Sequence, residues 1–415
     1  MIVNEAKRHL MECDRGNDSI QMPVSDRWKG YLEMIRHEIN KIKYAHQAIY
    51  FCQSYIGFDH RTLSALQITY FPLYENLLDC EFPHFMGAIN KTSDSPYSLP
   101  ETLFRYNGRL VSNIYYAHLR YVLQCLTYVK EPKTICEIGG GYGGPARLWL
   151  QNPIYRPNTY VIIDLPESLF FAEIFLKMNF EKSEILYITD PKPVSSERAS
   201  QYPIILCPIK YLNAVSKLSF DLVINTGSLH EMTEEWVVFW MEWLKKQDCR
   251  MFYSLNYFAQ PLGFMVEGSV AWSPKLTKEW SIRLQSFDPH FIKTQTTRSV
   301  AEILAEKTGD EKTMDKSALL SRYELLKNRY LDGQILLEAL DVVRIYPQED
   351  IIWDLLTRCV NEMKTVPKEA YYLAEYLTNH ASADFKDKNG TALQEIRSKL
   401  HSIRSAGKES MYLYD

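Results

Sequence analysis

The sequence predicts an α/β protein: a mostly parallel sheet with helices on both faces, flanked by helical regions at either end. Three observations predict it. Short apolar runs alternate with longer amphipathic segments between residues 111 and 310, the pattern of strands joined by crossover helices. A glycine cluster, Gly139-Gly-Gly-Tyr-Gly-Gly144, falls between one such run and the next helix. Residues 1–110 and 311–415 carry apolar residues at helical spacing, broken by prolines, and no strand alternation.

In chain order, Trp28, Tyr31, Leu32, Ile35, Ile39 and Ile42 place one or two amphipathic helices over 25–55. Pro72, Pro83, Pro96 and Pro100 then break the chain into short helices and loops. A helix is expected over 110–128 and a strand over 134–138. The glycine loop follows, and a helix opens at Pro145, where a missing N–H costs nothing. Further strands are expected at 160–163, 204–207, 222–225 and 251–255, with helices over 167–178 and 234–246. A terminal strand pair is expected near 282–287 and 291–296, for seven strands in all. Helices are expected over 319–330, 334–345, 350–363 and 368–378. The charged stretch 309–316 is the best boundary, so the expected division is 1–110, 111–310 and 311–415.

Composition narrows the function. The 415 residues are 46% hydrophobic and 24% charged, with a formal net charge of -4. Disordered chains are poorer in apolar residues, and basic nucleic-acid binders carry a positive excess. The longest charge-free stretch near the middle, 251–266, contains Asn256, Gln260, Pro261 and Gly263. It falls short of the ~20 apolar residues that span a bilayer. The N-terminus lacks a signal-peptide pattern. Eight cysteines are scattered without metal-like spacing, so a cytoplasmic location and no metal are expected.

The sharpest local signal is Glu137-Ile-Gly139-Gly-Gly141-Tyr142-Gly-Gly144. Gly139, Gly141 and Gly144 satisfy GxGxxG, and glycines there allow positive φ and close approach to a ligand. Asp164 ends the next expected strand, where a carboxylate can accept both hydroxyls of a ribose. A dinucleotide and S-adenosyl-L-methionine both fit such a loop. Glu137 favours the second: a negative charge suits its ammonium and sulfonium, and a pyrophosphate gains nothing from it. Tyr142 is a candidate for packing on the cofactor. Asn225, at the end of the fourth strand, is a further candidate contact.

His230 and Glu231 follow on the turn after that strand. A hydroxyl is a poor nucleophile while protonated, and a base poised near neutrality is worth about 10²–10⁴ in rate. His230 has the appropriate intrinsic pKa, ~6.5, and Glu231 is the alternative base or its orienting partner. Past the fifth strand, Asn256, Tyr257 and Trp272 could line an acceptor site, because aromatic faces suit the C–H faces of sugars. Trp236, Trp240 and Trp243 lie at i, i+4 and i+7, which reads as core.

The segments 135–144, 160–167 and 220–232 together resemble the bacterial sugar O-methyltransferases. The resemblance covers roughly 28–297, is strongest over 113–232, and leaves the C-terminal helices aside. It implies a Rossmann-like methyltransferase sheet, with Asp164 holding the ribose and His230 as general base. The sugar family more often has Gln before Glu-Met, which keeps Glu231 in play. The expected partner is a small-molecule or glycan acceptor, with a homodimer through the helical regions as a further possibility. The competing functions are a nicotinamide-dependent oxidoreductase and a non-catalytic scaffold acting through its C-terminal helices.

Overall fold

The computed structural model describes residues 1–15, 26–55, 67–257, 280–287, 300–307, 348–361 and 369–405, with Tyr323, Glu324, Lys327, Ala339 and Val343 between them. Four helices open the chain: α1 (Ile2–Arg15), α2 (Asp26–Lys41), α3 (Ala45–Tyr55) and α4 (Gln67–Glu81). A short α5 (Met86–Ile89) follows, then a hairpin of β1 (Phe104–Tyr106) and β2 (Arg109–Val111). The hairpin falls where only helix and loop were expected. Its turn is Asn107-Gly108 with φ of 47° and 77°, a sequence suited to a two-residue turn with positive φ at both positions. Leu110 therefore belongs to a strand. The helix begins three residues later as α6 (Asn113–Tyr128), where Ser112 caps it by accepting the N–H of Tyr115.

Beyond α6 the chain alternates: β3 (Thr134–Ile138), α7 (Gly144–Leu150), β4 (Thr159–Asp164), α8 (Pro166–Asn179), β5 (Ile185–Tyr187), α9 (Ser196–Ala199), β6 (Ile204–Pro208), β7 (Phe220–Thr226), α10 (Glu234–Lys246), β8 (Cys249–Tyr257), β9 (Trp280–Phe287) and β10 (Val300–Lys307). Among the described residues the main sheet has eight strands in the order β5-β6-β4-β3-β7-β8-β10-β9. Strands β3 to β8 run parallel, and β10 lies antiparallel between β8 and β9. The sheet is mostly parallel as expected, but it has one strand more than the seven expected. The addition is β5, an edge strand of three residues, too short for periodicity to show. The strand expected at 291–296 falls outside the described residues, and the strand that pairs with β9 lies at 300–307. Its Ala-Glu-Ile-Leu-Ala-Glu run favours a helix by propensity, and pairing with β8 and β9 overrides that preference.

Two cores cover the sheet. One contains Tyr160, Ile162, Leu222, Tyr253 and Leu304 together with residues of α1 to α4, α6, α7 and α8. The other contains Cys136, Val161, Val223 and Phe252 together with Val237, Trp240 and Leu244 of α10. Side chains alternate between the two along each strand, as a doubly covered sheet requires. The tryptophan stripe is core: Trp240 is buried, with Trp236 stacked at 6.4 Å and Trp243 edge-on at 5.5 Å. The division expected at residue 110 is not a break in packing, because Val3, Ile35, Ile49 and Phe71 share a core with Phe170 and Leu176.

The N-terminal helix is anchored by buried charge. Glu173 of α8 is fully buried and accepts from His9 Nδ1 at 2.9 and 3.0 Å and from Lys177 at 2.5 Å. Arg8 lies 3.0 Å from His9 Nε2. A guanidinium can only donate, so Nε2 accepts and the proton sits on Nδ1, facing Glu173. Glu5, His9 and Glu173 have metal-ligand geometry. The Lys177 ammonium, 3.1 Å from Glu5, already supplies the cation there.

At the C-terminus, α11 (Glu349–Asn361), α12 (Glu369–His380) and α13 (Ala383–Ser405) enclose a third core around Leu355, Leu356, Cys359 and Leu377. Helix α13 runs unbroken through Asn389-Gly390, two residues of low helix propensity. No space constraint explains Gly390, whose missing Cβ would meet nothing within 4 Å. Among the described residues no helix is long and apolar enough to cross a membrane.

Candidate active site

Strand β3 pairs with β4 on one side and β7 on the other. The chain leaves β3 toward β4 and later returns to its opposite side, so a crevice opens at the carboxyl ends of these strands. The glycine loop lies there. Gly139, Gly141 and Gly143 have φ of 73°, 54° and 84°, values that bulky residues rarely adopt. A side chain at Gly139 would run into Ser228, and one at Gly140 would come within 2.9 Å of Glu137 Oε2. Gly141 differs, because a Cβ there would meet nothing within 4 Å. The loop is packed tightly below and open at Gly141. Gly144, the third glycine expected to contact the cofactor, opens α7 with its Cβ position packed 2.5 Å from His118 and 2.7 Å from the Tyr142 hydroxyl.

Glu137 lies beneath this loop, with no exposed surface. Its Oε2 accepts from the Tyr160 hydroxyl at 2.9 Å, while Oε1 is buried without a hydrogen-bond partner. Burial pushes its carboxyl up to about 8, against the opposing hydrogen bond from Tyr160. Asp164 ends β4 as expected. Its Oδ2 accepts the N–H of Gly141 at 2.8 Å and its Oδ1 the N–H of Leu165 at 2.7 Å. Burial raises this carboxyl to about 6, and the two backbone donors hold it back. The acid expected to hold a ribose thus also fixes the open point of the glycine loop.

Three candidates take different places from those expected. Tyr142 turns into the core, edge-on to Phe175 at 5.0 Å, instead of facing the cleft. Asn225 is fully buried and spent on structure: its Nδ2 donates to the Ile138 carbonyl at 2.8 Å and to Ser228 at 2.6 Å, and its Oδ1 accepts from Leu229 at 3.2 Å. Asn256, also fully buried, donates to Asn225 Oδ1 at 2.9 Å and Ser254 at 2.6 Å, so it supports Asn225 rather than an acceptor. A polar residue at a strand end has this second use, binding the chain to itself, which spacing alone does not reveal.

His230 and Glu231 lie on a 3-10 turn, Leu229–Glu231, directly after β7. The turn is pinned by the bond from Leu229 N–H to Asn225 and by that from Glu231 N–H to the Ser228 carbonyl at 3.1 Å. Glu231 is half-buried. The side chains of His230 and Tyr257 and the whole of Trp272 lie outside the described residues, so these three candidates stand on backbone or sequence position. Ser228 joins the site without having been expected there: its hydroxyl meets both Asn225 and the Ile138 carbonyl (3.3 Å). The Asn-Thr-Gly-Ser run ending β7 was the available signal.

No family model matches the chain, and no curated protein matches it. Solved structures resemble about half of it. The 16S rRNA methylase ArmA shares 14% identity over 46% of this chain and 82% of its own, with a TM-score of 0.31. Magnesium protoporphyrin IX methyltransferase (ChlM) from Synechocystis PCC 6803, with bound SAH, shares 12% over 47% and 83%, with a TM-score of 0.32. Human N-acetylserotonin methyltransferase, in complex with SAM, shares 15% over 47% and 52%, with a TM-score of 0.30. Likeness at this level carries no argument about activity, which rests on this chain's own site.

Proposed function

We propose that the chain is an S-adenosyl-L-methionine-dependent O-methyltransferase acting on a hydroxyl of a sugar or glycan precursor. The observation that carries the cofactor is Glu137. A buried carboxylate oxygen without a partner costs stability, and an ammonium placed beside it removes that cost. A dinucleotide brings a pyrophosphate, which does not. The open point at Gly141 and the carboxylate of Asp164 leave room and an acceptor for a nucleoside at the next strand.

Bound S-adenosyl-L-methionine supplies an electrophilic methyl group on a sulfonium. The chain's own work is to orient and deprotonate. Glu137 would hold the ammonium, Asp164 would accept from the ribose hydroxyls, and the loop backbone at Gly141 leaves the cofactor room beside them. His230 or Glu231, on the turn beside β3, takes the proton of the acceptor hydroxyl. The sugar acceptor rests on the resemblance of residues 113–232, with Tyr257 and Trp272 as its candidate contacts.

Calorimetry on the purified protein tests this. Binding of S-adenosylhomocysteine without binding of a nicotinamide dinucleotide is expected, and the reverse pattern sinks the proposal. His230→Ala should keep cofactor affinity and lower turnover by about 10²–10⁴-fold, the usual contribution of a general base. If turnover is unchanged and Glu231→Gln loses it instead, Glu231 is the base.

A further inference from the structure

A second orphaned side chain stands at the same edge of the sheet. Asn113 is the first residue of α6 and is only 4% exposed. Neither Nδ2 nor Oδ1 of its amide has a hydrogen-bond partner. Helix α6 leads directly into β3, so it runs opposite to that strand, and its N-terminus lies at the carboxyl edge where the glycine loop sits. One and a half turns along α6, His118 abuts Gly144. Glu137 points into the same core as α6: its hydrogen-bond partner Tyr160 and the α6 residues Tyr121 and Cys125 all belong to it.

The end of α6 has the character of an anion site. Ser112 covers the N–H of Tyr115, and the first N–H groups of a helix have no intrahelical acceptor. The helix dipole adds partial positive charge at that end. The nearby acid, Asp94, is already engaged by Ser112 at 2.5 Å, by Ser98 at 3.1 Å and by Arg147 at 3.7 Å. What is missing at Asn113 is a partner that accepts from its amide N–H and from the helix end.

We infer that Asn113 and the N-terminus of α6 bind the carboxylate of the cofactor's amino-acid end, while Glu137 binds its ammonium. This rests on the reading of the site as an S-adenosylmethionine site. It assigns two of the buried groups with orphaned atoms, the amide N–H of Asn113 as donor and Oε1 of Glu137 as acceptor, to the two charges of one zwitterion. It also gives α6 a role in binding, besides its packing on the sheet.

Calorimetry with two ligands tests it: S-adenosylmethionine, and decarboxylated S-adenosylmethionine, which keeps the adenosine, sulfonium and ammonium but lacks the carboxylate. Asn113→Ala should weaken the first by about 10- to 100-fold, the worth of a lost hydrogen bond to a charged group, and leave the second unchanged. Asn113→Asp, which adds a like charge at the same volume, should weaken the first further and not the second. Circular dichroism confirms that each variant is folded. Equal binding of S-adenosylmethionine by wild type and Asn113→Ala overturns the inference and leaves the site reading intact. Equal weakening of both ligands also overturns it, because the effect is then structural. Failure of the wild type to bind either ligand overturns the site reading itself.

Discussion

At the scale of single residues, the two carboxyls of the site make opposite demands on pH. Glu137 is raised to about 8 and Asp164 to about 6, each mainly by burial. Below pH 6 Asp164 is protonated and loses an acceptor for a ribose hydroxyl. Below pH 8 Glu137 is neutral until a cation ionises it. Cofactor affinity should therefore rise across pH 6–8, with proton release on binding near pH 7, measurable by calorimetry in buffers of different ionisation heat. Stability has the other sign. The unfolded chain ionises Glu137 above about 4.5 and the folded chain only near 8, so the native state holds an extra proton between them and loses stability as pH rises through that window. Glu137→Gln keeps the acceptor for Tyr160 and removes the charge. Its melting temperature should exceed that of the wild type above pH 7, while its cofactor affinity falls. A melting temperature that tracks the wild type at every pH would show that Glu137 ionises freely.

At the scale of elements, the glycine loop was legible because its chemistry is local. Positive φ at Gly139 and Gly141 follows from the residue type that adopts it most readily, the third such glycine is Gly143 where Gly144 was expected, and Asp164 follows from a strand ending. The fates of Asn225 and Asn256 were not legible, because their partners lie on different strands and only the pairing of β7 with β8 brings them together. The same holds for the ionic cluster of Glu5, His9, Glu173 and Lys177, whose members are separated by α2 to α7 in the chain. Two predictions belong here. Asn225→Ala strips partners from the buried Asn256 and from the N–H of Leu229, so it should destabilise by about 2–4 kcal/mol. It should also lower turnover more than cofactor affinity, because it frees the turn that carries His230. Equal loss of both would mean that the turn does not position the base. Glu173→Ala leaves the buried Lys177 ammonium (its side chain is 3% exposed) with Glu5 in place of two carboxylates, and leaves His9 Nδ1 without its acceptor. It should cost about 3–5 kcal/mol in denaturant unfolding, and amide exchange should speed up in α1 before it does in the sheet.

At the scale of the whole molecule, the length divides by cores more than by sequence texture. The first helices complete one face of the sheet, so residues 1–110 cannot be removed without exposing Phe170, Phe171 and Phe175, all buried against that face. The C-terminal helices are different, because among the described residues none of the third core is shared with the other two. Leu356 of α11 is fully buried within it. Leu356→Ala removes several methyl groups and leaves a cavity, which typically costs about 2–5 kcal/mol. That loss should appear as faster amide exchange confined to α11, α12 and α13. Cofactor affinity should be unchanged, since among the described residues none of the glycine loop belongs to the third core. A parallel fall in cofactor affinity would instead mean that the terminal helices and the sheet unfold as one unit, and the two regions would have to be treated as a single cooperative structure.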